Sequence, residues 1–181
     1  MTAHKRRLIG SAADEIRKAL DLPDGDFNIE EVVSRLNGFI SYFSGYEAGM
    51  TEEVVKSGGQ EFSDVHADFV IRINEGNVKT RQRFSIAHEL GHLFLHMRYL
   101  TDTWYALPAG KSYQRELGSY SMTEEEANEF AGAFLMPEHH FVKIANETSS
   151  NTHYILDKIA QHFNVSISAA SNRGRNLGLW R

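Results

Sequence analysis

The 181-residue chain contains no cysteine. Disulfide frameworks, cysteine nucleophiles and thiolate metal sites are therefore excluded. It also lacks any apolar run near the eighteen or so residues that a membrane span requires. No apolar stretch of signal-peptide length follows the polar, basic start from Met1 to Arg7. These absences lead us to expect a cytoplasmic protein with no membrane partner. Excess positive charge is missing too: the net charge is -5 and the pI about 6.0, which argues against a dedicated nucleic-acid or membrane-surface binder. With 41% apolar and 24% charged residues, the composition is that of a globular chain forming one compact domain, or one domain with a small appendage. Histidine, by contrast, is plentiful. There are nine, and His88, His92 and His96 fall within nine residues.

Apolar periodicity predicts an amphipathic helix over 4–20, carrying Leu8, Ile9, Ala12, Ala13, Ile16, Ala19 and Leu20. The break Leu22-Pro23-Asp24-Gly25 follows. A second helix is expected over 29–37 with Gly38 as its stop, then a short strand from Phe39 to Phe43. Residues 44–66 read as loops with short elements around Glu52 to Val55. Phe69 to Ile73 is the best strand, positioned like an edge strand that could receive an extended peptide, and Asn74 to Asn77 is a turn. The clearest helix spans 80–97, with Phe84, Ala87, Leu90, Gly91, Phe94 and Leu95 as its apolar face. From about 98 to 121 the pattern is that of a long loop, expected to border a functional cleft and to be mobile. Thr123 is the expected cap of a helix to Leu135, with Glu126 as capping-box partner. A short helix over 138–146 and a pair over 154–163 and 166–177, turning at Asn164-Val165, complete the chain.

The chemistry is concentrated in His88-Glu89-Leu90-Gly91-His92. Residues four apart share a helix face, so His88 and His92 can present two imidazoles to one Zn²⁺ ion. Glu89 lies on a different part of the helix surface, suited to deprotonate a water beside the metal. A tetrahedral catalytic site needs a third protein ligand. Glu124 is the candidate, because it shares a side of its helix with Ala127, Asn128 and Ala131. The plainer alternative is that Glu124, Glu125 and Glu126 merely complement the helix dipole. Asn128 could orient a ligand histidine. His96 is either a further ligand or, as we favour, a residue behind the ligands or on the surface. The spacing excludes the metzincin pattern, since position 98 is Arg.

The segment Arg83-Phe84-Ser85-Ile86-Ala87-His88-Glu89-Leu90-Gly91-His92-Leu93-Phe94-Leu95-His96, followed by Glu124-Glu125-Glu126-Ala127-Asn128-Glu129-Phe130-Ala131 and Leu135-Met136-Pro137, resembles the ImmA/IrrE family of prokaryotic zinc peptidases. A weaker likeness extends the coverage to about 69–179. The resemblance implies a thermolysin-like α+β fold: a helical zincin-type catalytic domain with a small β-sheet and a C-terminal helix pair. It also implies gluzincin-type ligation by two histidines and a glutamate from a later helix. Members typically cleave or otherwise inactivate helix-turn-helix repressors. This chain shows no N-terminal DNA-binding domain of the kind some members carry, so its repressor would be a separate chain.

The expected organisation is a metallopeptidase domain over 1–150 and a helix-turn-helix-like subdomain over 151–181 packed on it. Arg173, Arg175 and Arg181 give that subdomain positive charge, but packing is favoured over DNA reading. The expected activity is zinc-dependent endopeptidase cleavage, with Glu89 as base. An oxyanion donor would come from Tyr105, Tyr113, Tyr120 or His96. The alternative is a zinc-bearing protein that antagonises a repressor by docking alone.

Overall fold

Phe69, Val70, Ile71 and Ile73 are each 0% exposed, and a strand apolar on both faces has to lie inside a sheet. The computed structural model describes residues 1–44, 51–58, 64, 66–114, 122–149 and 153–181. In it Phe69–Asn74 (β3) lies between Gly38–Phe43 (β1) and Glu53–Lys56 (β2), with Ser112–Gln114 (β4) beyond β2. The order β1-β3-β2-β4 corrects the expectation that Phe69 to Ile73 is an edge strand. Its unbroken apolar run demanded interior placement, and the edges among the described strands are β1 and β4. β1 runs parallel to β3, pairing Gly38 with Phe69. β2 runs antiparallel to both β3 and β4, pairing Val54 with Ile71 and with Tyr113.

This sheet belongs to one of two compact units, residues 28–128. Helix Ile29–Arg35 (α2) is capped by Asn28, whose Oδ1 accepts from Glu31 N at 3.1 Å. It ends at Arg35, earlier than expected, with Leu36 as its C-cap and the left-handed residue Asn37 (φ 57°) just beyond. Gly38 is needed for a different reason: a Cβ there would lie 2.3 Å from Phe69 Cζ. Helix Lys79–Gly91 (α3) packs on α2, β2 and β3, which is why Ile86, Ala87 and Leu90 are 0% exposed.

Residues 98–114 are more ordered than a bare loop. Tyr99 packs edge-on against Phe69, Phe94 and Trp104. The short helix Asp102–Ala106 (α4) is anchored by buried Trp104 and by Lys56 Nζ, which donates to Trp104 O and Leu107 O, each at 2.7 Å. Helix Met122–Leu135 (α5) begins before Thr123, so Thr123 lies in its first turn and is not its cap.

The other unit comprises residues 1–27 and 129–181, so α5 contributes residues to both. The units are therefore divided differently from the expected boundary at 150. Within this second unit, which also holds helices Glu138–Glu147 (α6) and Leu156–Phe163 (α7), buried charge joins helix Ala3–Ala19 (α1), the later part of α5 and helix Ile167–Asn176 (α8). Glu129 accepts from Arg173 Nη1 at 3.0 Å and Asn176 Nδ2 at 2.9 Å, and Arg6 lies 3.6 Å away. Arg173 also donates to Met136 O at 3.1 Å. Arg17 bonds the carbonyls of Phe134 and Pro23. The α7–α8 turn uses Asn164 in the left-handed conformation (φ 51°), and Ser166 Oγ caps α8 by accepting from Ala169 N. Arg173, counted among the positive charges of that pair, is turned inward with 5% exposure. The fold is α+β, as expected, and no described helix is long and apolar enough to cross a membrane.

Candidate metal centre

The four-residue spacing on α3 brings the imidazoles of His88 and His92 together, Nε2 to Nε2, at 3.0 Å. Glu124, in the first turns of α5, completes a triangle. Its Oε2 lies 3.3 Å from His88 Nε2, and its Oε1 lies 3.2 Å from His92 Nε2. Four ligands held tetrahedrally at about 2.0–2.1 Å from zinc sit about 3.3–3.4 Å apart. The triangle is close to that size. Among the described residues, His88, His92 and Glu124 are the group of three or more ligating side chains that lie close enough together to hold a metal ion. Neither Glu125 nor His96 belongs to it.

Second contacts fix which nitrogen faces the centre. His88 Nδ1 lies 3.0 Å from Asn128 Oδ1. An amide oxygen only accepts, so Nδ1 carries the proton and Nε2 presents a lone pair. Asn128 follows Glu124 by one helical turn, which puts both on one face of α5. His92 Nδ1 meets His96 Nδ1 at 2.9 Å, and His96 Nε2 lies 3.4 Å from Glu126 Oε2. His96 therefore stands behind His92. After Gly91 the helix widens into a π-turn over His92–His96, closed by Met97 N to His92 O at 2.9 Å. Such turns recur at functional sites.

Burial, then the neighbouring His88, depresses His92 to about 3 despite the attraction of Glu124. His92 is thus neutral, the form a metal requires. Two imidazole nitrogens and a carboxylate directed at one point suit a cation placed between them. The residues present fit zinc, whose sites take this mixture of nitrogen and carboxylate donors.

Glu89 is 4% exposed, and its Oε2 is buried with no hydrogen-bond partner. Burial, then Glu124, Glu52 and Glu53, raises it well above the ordinary carboxyl range, partly offset by a bond from the backbone of Val54. Glu52 is held by Ser85 Oγ at 2.8 Å and Asn77 Nδ2 at 3.1 Å, and Glu53 by Arg72 Nη1 at 2.9 Å. Sequence reasoning missed both carboxylates as neighbours of Glu89, because nothing local to residues 52–53 announces what a sheet brings beside them. It also set Glu126 aside, whereas Glu126 reaches the cluster through His96.

Of the proposed oxyanion donors, Tyr113 on β4 stacks on His92 (centroids 4.5 Å, 25°) and His96 (5.1 Å, 21°). Tyr105 is 66% exposed. Tyr120 lies outside the described residues.

A solved structure, a Mycobacterium tuberculosis transcriptional regulator, resembles 92% of this chain with a TM-score of 0.57 and 18% identity. The likeness speaks for the fold alone, and the chain spans only 46% of that regulator's length. No curated protein matches. The model of the IrrE N-terminal-like domain matches residues 50–174, a stretch containing the whole triangle and Glu89. With more than half of its length matched, the chain belongs to the Peptidase_M78 family.

Proposed function

We propose that the chain is a zinc-dependent endopeptidase that inactivates a separate helix-turn-helix repressor by hydrolysing one of its peptide bonds. The observation that carries this reading is the convergence of His88, His92 and Glu124 beside a buried, partnerless carboxylate oxygen on Glu89. Bound by those three residues, zinc supplies the Lewis acidity that polarises the scissile carbonyl and eases deprotonation of the attacking water. Glu89 accepts the proton from that water as its oxygen bonds to the carbonyl carbon. It then returns the proton to the amide nitrogen as the C–N bond breaks. Its proton affinity, raised by burial and then by Glu124, Glu52 and Glu53, keeps the proton on Glu89 until it is delivered to the leaving nitrogen. Asn128 and His96 hold the two imidazoles in register, and Tyr113, whose ring lies against His92, is the donor proposed for the developing oxyanion.

The substrate segment is expected to add as a strand along β4, the outer strand that carries Tyr113. Main-chain pairing of that kind makes modest sequence demands. A repressor substrate accords with membership of the family.

The test is Glu89→Gln, which keeps the shape and removes the base. Zinc content should equal the parent's, while cleavage of a co-expressed repressor should fall about 10²–10⁴-fold. Relief of repression by the Gln variant, with the repressor intact in both strains, would instead establish docking as the mode of action.

A further inference from the structure

Away from the triangle, in the unit of residues 1–27 and 129–181, a second set of histidines converges. His140 on α6 and His162 on α7 face each other, Nε2 to Nε2, at 2.8 Å, with ring centroids 5.0 Å apart. Asp24, from the segment after α1, reaches the other side of His140: its Oδ2 lies 4.0 Å from His140 Nδ1 and 3.2 Å from His139 Nε2. We propose that His140 and His162 are the protein ligands of a second, weaker site for a borderline divalent transition ion such as zinc, with the Asp24 carboxylate nearby.

The arrangement repeats the features of a histidine metal site. Asp24 is hydrogen-bonded to His139 and not to His140, but its charge, 4.0 Å from His140 Nδ1, favours the proton on that nitrogen and leaves Nε2 to a metal. Burial, then His162, lowers the pKa of His140 and favours its neutral form. Gly25 keeps the approach open, since a Cβ at that position would begin only 3.5 Å from His162 Nε2. Imidazole suits zinc, copper and nickel, whereas calcium and magnesium prefer oxygen. Two ligands of a tetrahedral zinc stand about 3.3–3.4 Å apart, so the rings must part by about half an ångström. Exposed His162 can make that adjustment. Solvent would fill the remaining positions, which makes the site weaker than the three-residue centre. An ion there would tie together the segment after α1, α6 and α7.

The competing arrangement is an ordinary N–H···N bond between the two imidazoles. Equilibrium dialysis against graded free zinc, with metal analysis, separates the two. The parent should bind one more ion per chain than His162→Gln or His140→Gln, and those variants should keep all tighter binding. Asp24→Asn should retain the additional ion with reduced affinity, because it removes the negative charge beside His140. Because the count is a difference between parent and variant, it holds whether or not the His88 centre takes zinc. Zinc added beyond the tight site should also shift the ring signals of His140 and His162 saturably in NMR spectra. Equal ion counts in parent and variants, or ring signals indifferent to zinc, would overturn the proposal.

Discussion

His88 Nδ1 and Asn128 Oδ1 lie 3.0 Å apart although forty positions separate the two residues. The contact fixes the tautomer of His88 and holds its ring edge-on to the metal position. Asn128→Ala should leave the three ligands in place but weaken zinc binding about 10–100-fold. Competition with a chromophoric chelator measures this directly, and an unchanged dissociation constant would show the contact to be incidental.

Glu124 and Glu125 are adjacent and chemically alike, yet only Glu124 joins the triangle. Glu124→Ala should abolish stoichiometric zinc, and Glu125→Ala should retain about one ion per chain by metal analysis. The reverse result would assign the wrong face of α5 to the site.

His96 stands between Glu126 and His92. His96→Phe keeps a ring beside Tyr113 but removes the partner of His92 Nδ1. Zinc affinity should fall about 10–100-fold, and Glu126→Gln should produce a smaller loss in the same direction. In the metal-free parent, a nitrogen–nitrogen coupling across the His92–His96 bond should be visible by NMR and absent from the Phe variant.

Glu89 makes a prediction about pH. Burial, then Glu124, Glu52 and Glu53, lifts its folded value well above the ordinary 4.5. Between 4.5 and the raised value the unfolded chain binds fewer protons than the folded one, so this carboxyl subtracts stability as pH rises. Glutamine carries no such cost. In metal-free protein, Glu89→Gln should raise Tm relative to the parent at neutral pH, and the advantage should shrink as pH falls toward 4.5. A difference independent of pH would mean that the folded protein does not hold this carboxyl protonated.

The Arg173–Glu129 pair is buried on both sides, each side chain 5% exposed. Removing one partner of such a pair typically costs about 3–5 kcal/mol. Arg173→Met should fall near the lower end, because Asn176 and Arg6 still approach Glu129. Urea unfolding checks this, and the double change with Glu129→Met should recover much of the loss.

The site was legible in the sequence where it is local. The four-residue step from His88 to His92 and that from Glu124 to Asn128 are properties of single helices, and the structure brings these residues together. What the sheet decides was not legible. β4 is three residues, Ser112–Gln114, too short to show alternation, yet it places Tyr113 against two histidines. Glu52 and Glu53 reach Glu89 only because β2 pairs with β3, and no pattern in residues 44–66 foretold that pairing. The interior position of β3 was written in its apolar run, whose periodicity could not say which strands would flank it. Arg173 looked like surface charge because its partner lies forty-four residues earlier.

The π-turn at His92–His96 makes chain length, as well as residue type, part of what this segment encodes. Each residue of an ordinary helix advances the side chains by about 100°. Deleting one residue between His92 and His96 would let the regular ladder close again and replace the four-residue step between the two histidines by a three-residue one, changing how the His96 ring approaches His92 Nδ1. Exchanging Leu93 or Leu95 for another apolar residue leaves the count intact. Homologues that tolerate such exchanges here should therefore still refuse insertions and deletions, and a gap in an alignment at this point would mark a relative whose centre is assembled differently.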